Sequence, residues 1–176
     1  MYESKFGLSG PPFQLNPDPA FYFDSQGHHQ ALEALRRGMA GSKGLVAVTG
    51  EVGAGKTTLV RTVLGEKAQD LLIEAQICST QLDADELLRA IVLAFGITAD
   101  ELSQADLRPA LEVFLDQVRA RGQQAVLVID EAQNLQRSAF ELLVALGQGG
   151  LRICLVGQPE LREMLGGCEL VHMRRH

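Results

Sequence analysis

Residues 50–57 read Gly50-Glu51-Val52-Gly53-Ala54-Gly55-Lys56-Thr57, which is the pattern G-x-x-x-x-G-K-[ST]. Its glycines let the backbone wrap closely around a phosphate, with successive N–H groups forming an anion nest. Lys56 is placed to reach the outer phosphates, and the Thr57 hydroxyl to hold Mg²⁺. The context fits. Gly44-Leu45-Val46-Ala47-Val48-Thr49 before it reads as a short buried strand, and residues 58–64 after it read as a helix closed by Gly65. The N-terminal end of that helix would add its positive dipole beneath the phosphates.

The same alternation runs through the rest of the chain. Ser25 is a candidate cap for a helix to Ala40 with Leu32, Leu35 and Met39 on its apolar face. Residues 70–77 read as a strand, and residues 83–95 as a helix stopped at Gly96. Leu107, Leu111, Phe114, Leu115 and Val118 mark a further helix, in which Pro109 is expected near the first turn. Ala125-Val126-Leu127-Val128-Ile129 is a continuous apolar run, typical of a strand buried on both faces. A helix over 140–146, a strand over 151–156 and a short helix opened by Pro159 complete the series. Strands alternating with helices predict an α/β fold with a parallel sheet covered on both faces. Residues 1–24, rich in proline and aromatics, read as an extended segment packing on a core of residues 25–176.

The run over 125–129 ends in Asp130-Glu131. Ligands of such sheets sit beyond the carboxyl ends of the strands. Asp130 there is suited to hold Mg²⁺, directly or through water, and Glu131 to orient and deprotonate an attacking water. Gln158 follows the next strand and reads either as a contact to the γ-phosphate or water, or as a turn residue before Pro159. Arg174 and Arg175 read either as arginines reaching a neighbouring subunit's nucleotide or as a basic tail. His28 and His29 have no partners at metal-ligand spacing.

A length of 176 residues suits one domain, and a net charge of −6 argues against a surface that coats nucleic acid. No stretch approaches the roughly 20 apolar residues of a membrane span. The start, Met1-Tyr2-Glu3-Ser4-Lys5, lacks signal-peptide organisation. Of three cysteines, Cys78 and Cys154 lie in apolar runs and are expected as buried thiols. These features lead to the expectation of a reduced, cytoplasmic protein.

On these residues the chain resembles bacterial AAA+ ATPases of the general secretion pathway protein A (ExeA-like) group. The resemblance runs over Met1-Tyr2-Glu3, Phe6-Gly7-Leu8, Pro12-Phe13, Asn16-Pro17-Asp18-Pro19, residues 49–58, residues 128–135 and Val156-Gly157-Gln158-Pro159-Glu160-Leu161-Arg162. Residues 76–85 further resemble a branch found with exosortase and exopolysaccharide-export loci. The resemblance implies a P-loop NTPase (AAA+) fold, a three-layer αβα sandwich around a parallel sheet. It implies ATP and Mg²⁺ as ligands, with the phosphate loop of Gly50, Glu51, Val52, Gly53, Ala54, Gly55, Lys56, Thr57 and Thr58 binding the nucleotide. Thr57 and Asp130 would then hold the metal, and Glu131 would be the catalytic base. Gln158 takes the sensor position, Arg174 matches an arginine finger, and Pro12 and Phe13 would pack near the adenine. The partners implied are copies of the same chain in an oligomer and secretion or polysaccharide-export machinery at the cell envelope, the protein being peripheral to the inner membrane through them.

Two departures from the group stand out. The connection Gly147-Gln148-Gly149-Gly150 is short. The chain also stops at His176, before the fifth strand and helical lid that relatives carry, so both are expected to be missing. The phosphate-loop strand is then expected at an exposed sheet edge and the adenine without its lid, with weak nucleotide affinity and poor turnover as the consequence. A DNA-associated ATPase regulator of the transposition type and a nucleotide-binding remnant without turnover are the competing readings.

Overall fold

The computed structural model describes residues 26–40, 44–66, 71–78, 81–98, 102–165 and 169–172. Five strands form one sheet: β1 (Leu45–Thr49), β2 (Leu72–Cys78), β3 (Gln124–Asp130), β4 (Arg152–Gly157) and β5 (Glu169–His172), in the order β2-β3-β4-β1-β5. Every pairing is parallel. The helices are α1 (Gln26–Ala40), α2 (Lys56–Gly65), α3 (Ala84–Ala94), α4 (Gln104–Ala120), α5 (Arg137–Gln148) and α6 (Leu161–Met164).

Side chains alternate across the pleat, so each inner strand supplies both faces. On one face Ala47, Leu127, Ile129, Ile153 and Leu155 pack with α3, α4 and α5. On the other, Val46, Val48, Val126, Val128, Cys154 and Val156 pack with α1 and α2. Both faces are therefore dry, which is why β3 and β4 read as unbroken apolar runs. The apolar stripe expected on α1 is buried, with Leu32, Leu35 and Met39 all in the core. Arg36 of α1 joins that helix to the end of α2 by donating from Nε to Glu66 Oε2 at 2.8 Å. Helix α3 starts in a capping box: Glu86 N donates to Asp83 Oδ1 at 2.9 Å, and Asp83 N donates to Glu86 Oε2 at 3.1 Å.

The structure corrects three expectations. First, the fifth strand is present. Val46 pairs with Glu169 and Thr49 with His172, so β1 is an inner strand and, among the described residues, the edges are β2 and β5. Only Leu170 and Val171 are apolar in this four-residue strand, too short for periodicity to show. Its register comes from the unpaired N–H and C=O groups of β1, which are not local to it. With β1 paired on both sides, the argument for weak affinity from an exposed loop strand falls. Second, Cys78 is exposed, because it closes edge strand β2, whose outer positions meet solvent; Cys154 is buried as expected. Third, Pro109 lies inside α4, beyond the first turn, because the helix begins earlier, after Ser103. The expectations for residues 1–24, including Pro12 and Phe13, for Arg174 and Arg175, and for a lid lie outside the described residues.

Candidate functional site: the loop after β1 and the carboxyl ends of β3 and β4

Thr49 and Gly157 are register partners at the carboxyl ends of β1 and β4, so the loop after β1 starts beside the end of β4. Gly50 N donates to Gly157 O at 3.2 Å, which fixes the loop's first residue to β4. Gly53 and Gly55 both take φ 78°, the left-handed region that disfavours a side chain. Gly55 is the N-cap of α2, and Leu59 N donates to its carbonyl at 2.9 Å. The loop thus passes into the helix N-terminus with no intervening turn. Glu51, Val52 and Gly53 form its exposed crest, while Ala54 is buried beneath.

Lys56 is 9% exposed. Its ammonium folds back over the loop and donates to Gly50 O at 2.8 Å and Glu51 O at 2.9 Å. Both partners are neutral carbonyls, and among the described residues no carboxylate forms an ion pair with the ammonium. Such an ammonium is suited to meet an anion, since a paired and hydrogen-bonded charge is favoured over a merely solvated one away from water.

Thr57 projects from the first turn of α2 toward β3. Its hydroxyl donates to Asp130 Oδ2 at 2.9 Å, joining residues 73 positions apart in the chain. The other carboxylate oxygen, Oδ1, accepts Glu131 N at 2.9 Å. Hydroxyl and carboxylate oxygens side by side are hard donors of the kind Mg²⁺ takes, and Mg²⁺ at phosphate sites uses one or two carboxylates with phosphate and water oxygens. Among the described residues there is no cluster of three His, Cys, Asp or Glu able to form an all-protein metal cage. His29 is exposed on α1.

Glu131 sits at φ 53°, ψ 38°, a left-handed backbone unusual for a residue with a long side chain. This turns the chain out of β3 into a single 3₁₀ turn over Ala132–Asn134, with Asn134 N donating to Glu131 O at 3.0 Å. The turn brings Gln133 back over the strand ends. Gln133 Nε2 donates to Glu131 Oε2 at 2.6 Å, and Gln158 N donates to Gln133 Oε1 at 3.1 Å.

The structure therefore gathers the phosphate loop, Lys56, Thr57, Asp130, Glu131 and the start of the segment after β4 at one end of the sheet. Gln158 stands one residue past Gly157, half-buried, with its backbone engaged by Gln133. Sequence reasoning missed Gln133 as a site residue. The available signal was a polar residue between buried Ala132 and Leu135, two positions past a carboxylate pair.

Residues 37–165 match the AAA domain family. The chain is similar to general secretion pathway protein A of Aeromonas hydrophila, with 36% identity over 174 residues, 94% of this chain and 31% of the relative. It thus spans about a third of the length of that curated relative. Among solved structures it is similar to the Aeropyrum pernix ORC2 protein in its ADPNP–ADP complexes, with TM-score 0.62 and 18% identity over 93% of this chain and 51% of that one. Cdc6p of Pyrobaculum aerophilum gives TM-score 0.62 and 18% identity, covering 97% of this chain and 48% of that one. At these identities the structural likeness speaks to the fold.

Proposed function

The chain belongs to the AAA domain family, and from that premise we propose that it binds ATP with Mg²⁺ and hydrolyses the bond to the γ-phosphate. The observation that carries this reading is the 2.9 Å contact of Thr57 Oγ1 with Asp130 Oδ2, which joins the phosphate loop to the acid pair of β3. A phosphate loop alone binds nucleotide. A carboxylate placed beside its Thr completes a metal site, and the next residue, Glu131, places a base at its edge.

The division of labour follows from the residues. The loop of residues 50–58 and the N-terminus of α2 hold the phosphates. Lys56 exchanges its two carbonyl partners for phosphate oxygens and draws charge toward itself as the bond to the leaving group breaks. Thr57 and Asp130 are the residues that would hold Mg²⁺, which when bound neutralises charge on the phosphate oxygens. Glu131 accepts a proton from water as its oxygen forms a bond to phosphorus; the products are ADP and phosphate. Gln158 is suited by position to sense the γ-phosphate. Arg174 as a finger, and Pro12 and Phe13 at the adenine, rest on the family resemblance.

The wider role we infer is work on a secretion or exopolysaccharide-export assembly at the cytoplasmic face of the envelope, in an oligomer of this chain. The 36% identity to general secretion pathway protein A over 94% of the chain supports it. Among the described residues no helix is long and apolar enough to cross a membrane. The test of the core reading is direct. Lys56→Ala is expected to abolish ATP binding, and Glu131→Gln to bind ATP without turnover. Full hydrolysis by Glu131→Gln would refute the assignment. Sedimentation with and without ATP checks the oligomer.

A further inference from the structure

In the reading above, Glu131 receives the water proton. Nothing in its own backbone holds its carboxylate there. The residue is exposed, its side chain has several rotors, and a free carboxylate would sample many positions. What holds it is Gln133, whose Nε2 donates to Glu131 Oε2 at 2.6 Å.

The other end of the same amide accepts Gln158 N at 3.1 Å. This determines which way the amide faces. A backbone N–H can only donate, so Gln133 must turn its oxygen to Gln158; its NH₂ then faces the Glu131 carboxyl oxygen Oε2. Both contacts are satisfied by one orientation and broken by the flipped one. The amide also has a seat made for it. A Cβ on Gly157 would lie 2.8 Å from Gln133 Oε1, so only glycine at that position leaves the amide its place. The neighbouring atom of the same residue, Gly157 O, accepts Gly50 N from the phosphate loop. A continuous set of contacts thus links loop, end of β4, Gln133 and Glu131.

We infer that Gln133 is the positioning residue for the hydrolytic step: it holds Glu131 by Oε2, leaves Oε1 to take the proton from water, and references that carboxylate to the strand end that carries the phosphate loop. The inference rests on the hydrolytic reading of the site. A hydrogen bond to a charged group has a weight corresponding to about ten- to a hundredfold in rate when it is lost only from the reacting geometry.

Two variants of the purified protein test it. Gln133→Met keeps the volume over Gly157 and removes both hydrogen bonds. Gln133→Glu keeps the length and sets a like charge against Glu131. Each is expected to lower kcat about ten- to a hundredfold with the ATP dissociation constant within about twofold of the parent, because neither touches the phosphate loop. In single-turnover assays, adding Gln133→Met to Glu131→Gln is expected to change the residual rate by less than about twofold, since no carboxylate is left to orient. A Gln133→Met protein with parental kcat overturns the inference. So does a loss of ATP affinity matching the loss of kcat, or an undiminished effect in the Glu131→Gln background. If the parent turns over ATP, Glu131→Gln abolishes it and Gln133→Met does not slow it, only this inference fails. If the parent shows no turnover, the hydrolytic reading fails and takes this inference with it.

Discussion

Replacing Gly157 by alanine adds one methyl group where β4 meets the site. Built on the existing backbone, that methyl lies 2.8 Å from Gln133 Oε1, 2.9 Å from Leu161 Cδ2 and 3.4 Å from Gln133 N. The first two are roughly half an ångström inside ordinary contact, so a neighbour must move. Leu161 is 0% exposed and walled in by the core. Gln133 is only half-buried, so its amide is the group that yields, giving up the bond from Gln158 N. Gly157 has no positive φ, so alanine suits the backbone and by itself contributes about 0.4–1 kcal/mol through the unfolded chain. Overpacking costs about 1–3 kcal/mol. The net expectation is a loss of about 0–2.6 kcal/mol, measured as a lower urea midpoint without nucleotide. Turnover is expected to fall about ten- to a hundredfold, as for Gln133→Met, while ATP binding holds. Phosphate-release kinetics and equilibrium ATP titration read the two separately. A Gly157→Ala protein that is at least as stable as the parent and hydrolyses at the parental rate would refute both the crowding argument and the placement of Gln133.

Other outcomes follow from single residues. Cys78 is expected to react with a maleimide in the folded protein and Cys154 only on unfolding. Burial, with the nearby charges of Asp130 and Glu74, pushes the Cys154 thiol up to about 12 from 9.0; between those values the unfolded thiol ionises while the folded one stays protonated. Its contribution to stability is therefore complete below pH 9 and declines as pH rises through that window by about 1.4 kcal/mol per unit. Urea midpoints of Cys154→Val should show a correspondingly shallower alkaline decline, and identical slopes would contradict the assignment. Glu131→Gly relieves a left-handed backbone at φ 53° and is expected to gain up to about 1 kcal/mol while losing turnover; a lower urea midpoint would count against strain at that position. Chelation of Mg²⁺ is expected to stop turnover, and Thr57→Ala to raise the Mg²⁺ concentration for half-maximal rate by about tenfold; an unchanged Mg²⁺ dependence would remove Thr57 from the metal site.

Much of the site was legible because its parts are local. The phosphate loop carries its own geometry in Gly53, Gly55 and Lys56, and Asp130-Glu131 announces a strand end by following five apolar residues. Gln158 reads as the residue that follows a strand and precedes Pro159, and the register of β1 with β4 puts it beside the loop. Gln133 was not legible as a site residue. Its importance depends on Glu131 taking a left-handed turn, on the end of β4 arriving opposite, and on Gly157 lacking a side chain. No window of sequence contains all three.

The sequence by itself determined four of the five described strands and the residue types that stand at their ends. Alternating apolar runs specify strands covered on both faces, because buried backbone must pair and both sides of the pleat must stay dry. Only the tertiary structure decided which strand stands at an edge. Four residues around Leu170 and Val171 become β5 because β1 offers them unpaired backbone groups. That pairing encloses the loop strand, while the order β2-β3-β4-β1-β5 leaves Cys78 on the far edge and brings the ends of β1, β3 and β4 together. Hydrogen bonds between groups 25 and 73 residues apart in the chain then assemble the site. Such contacts depend on distance in space, and the chain order leaves that distance open until the sheet forms.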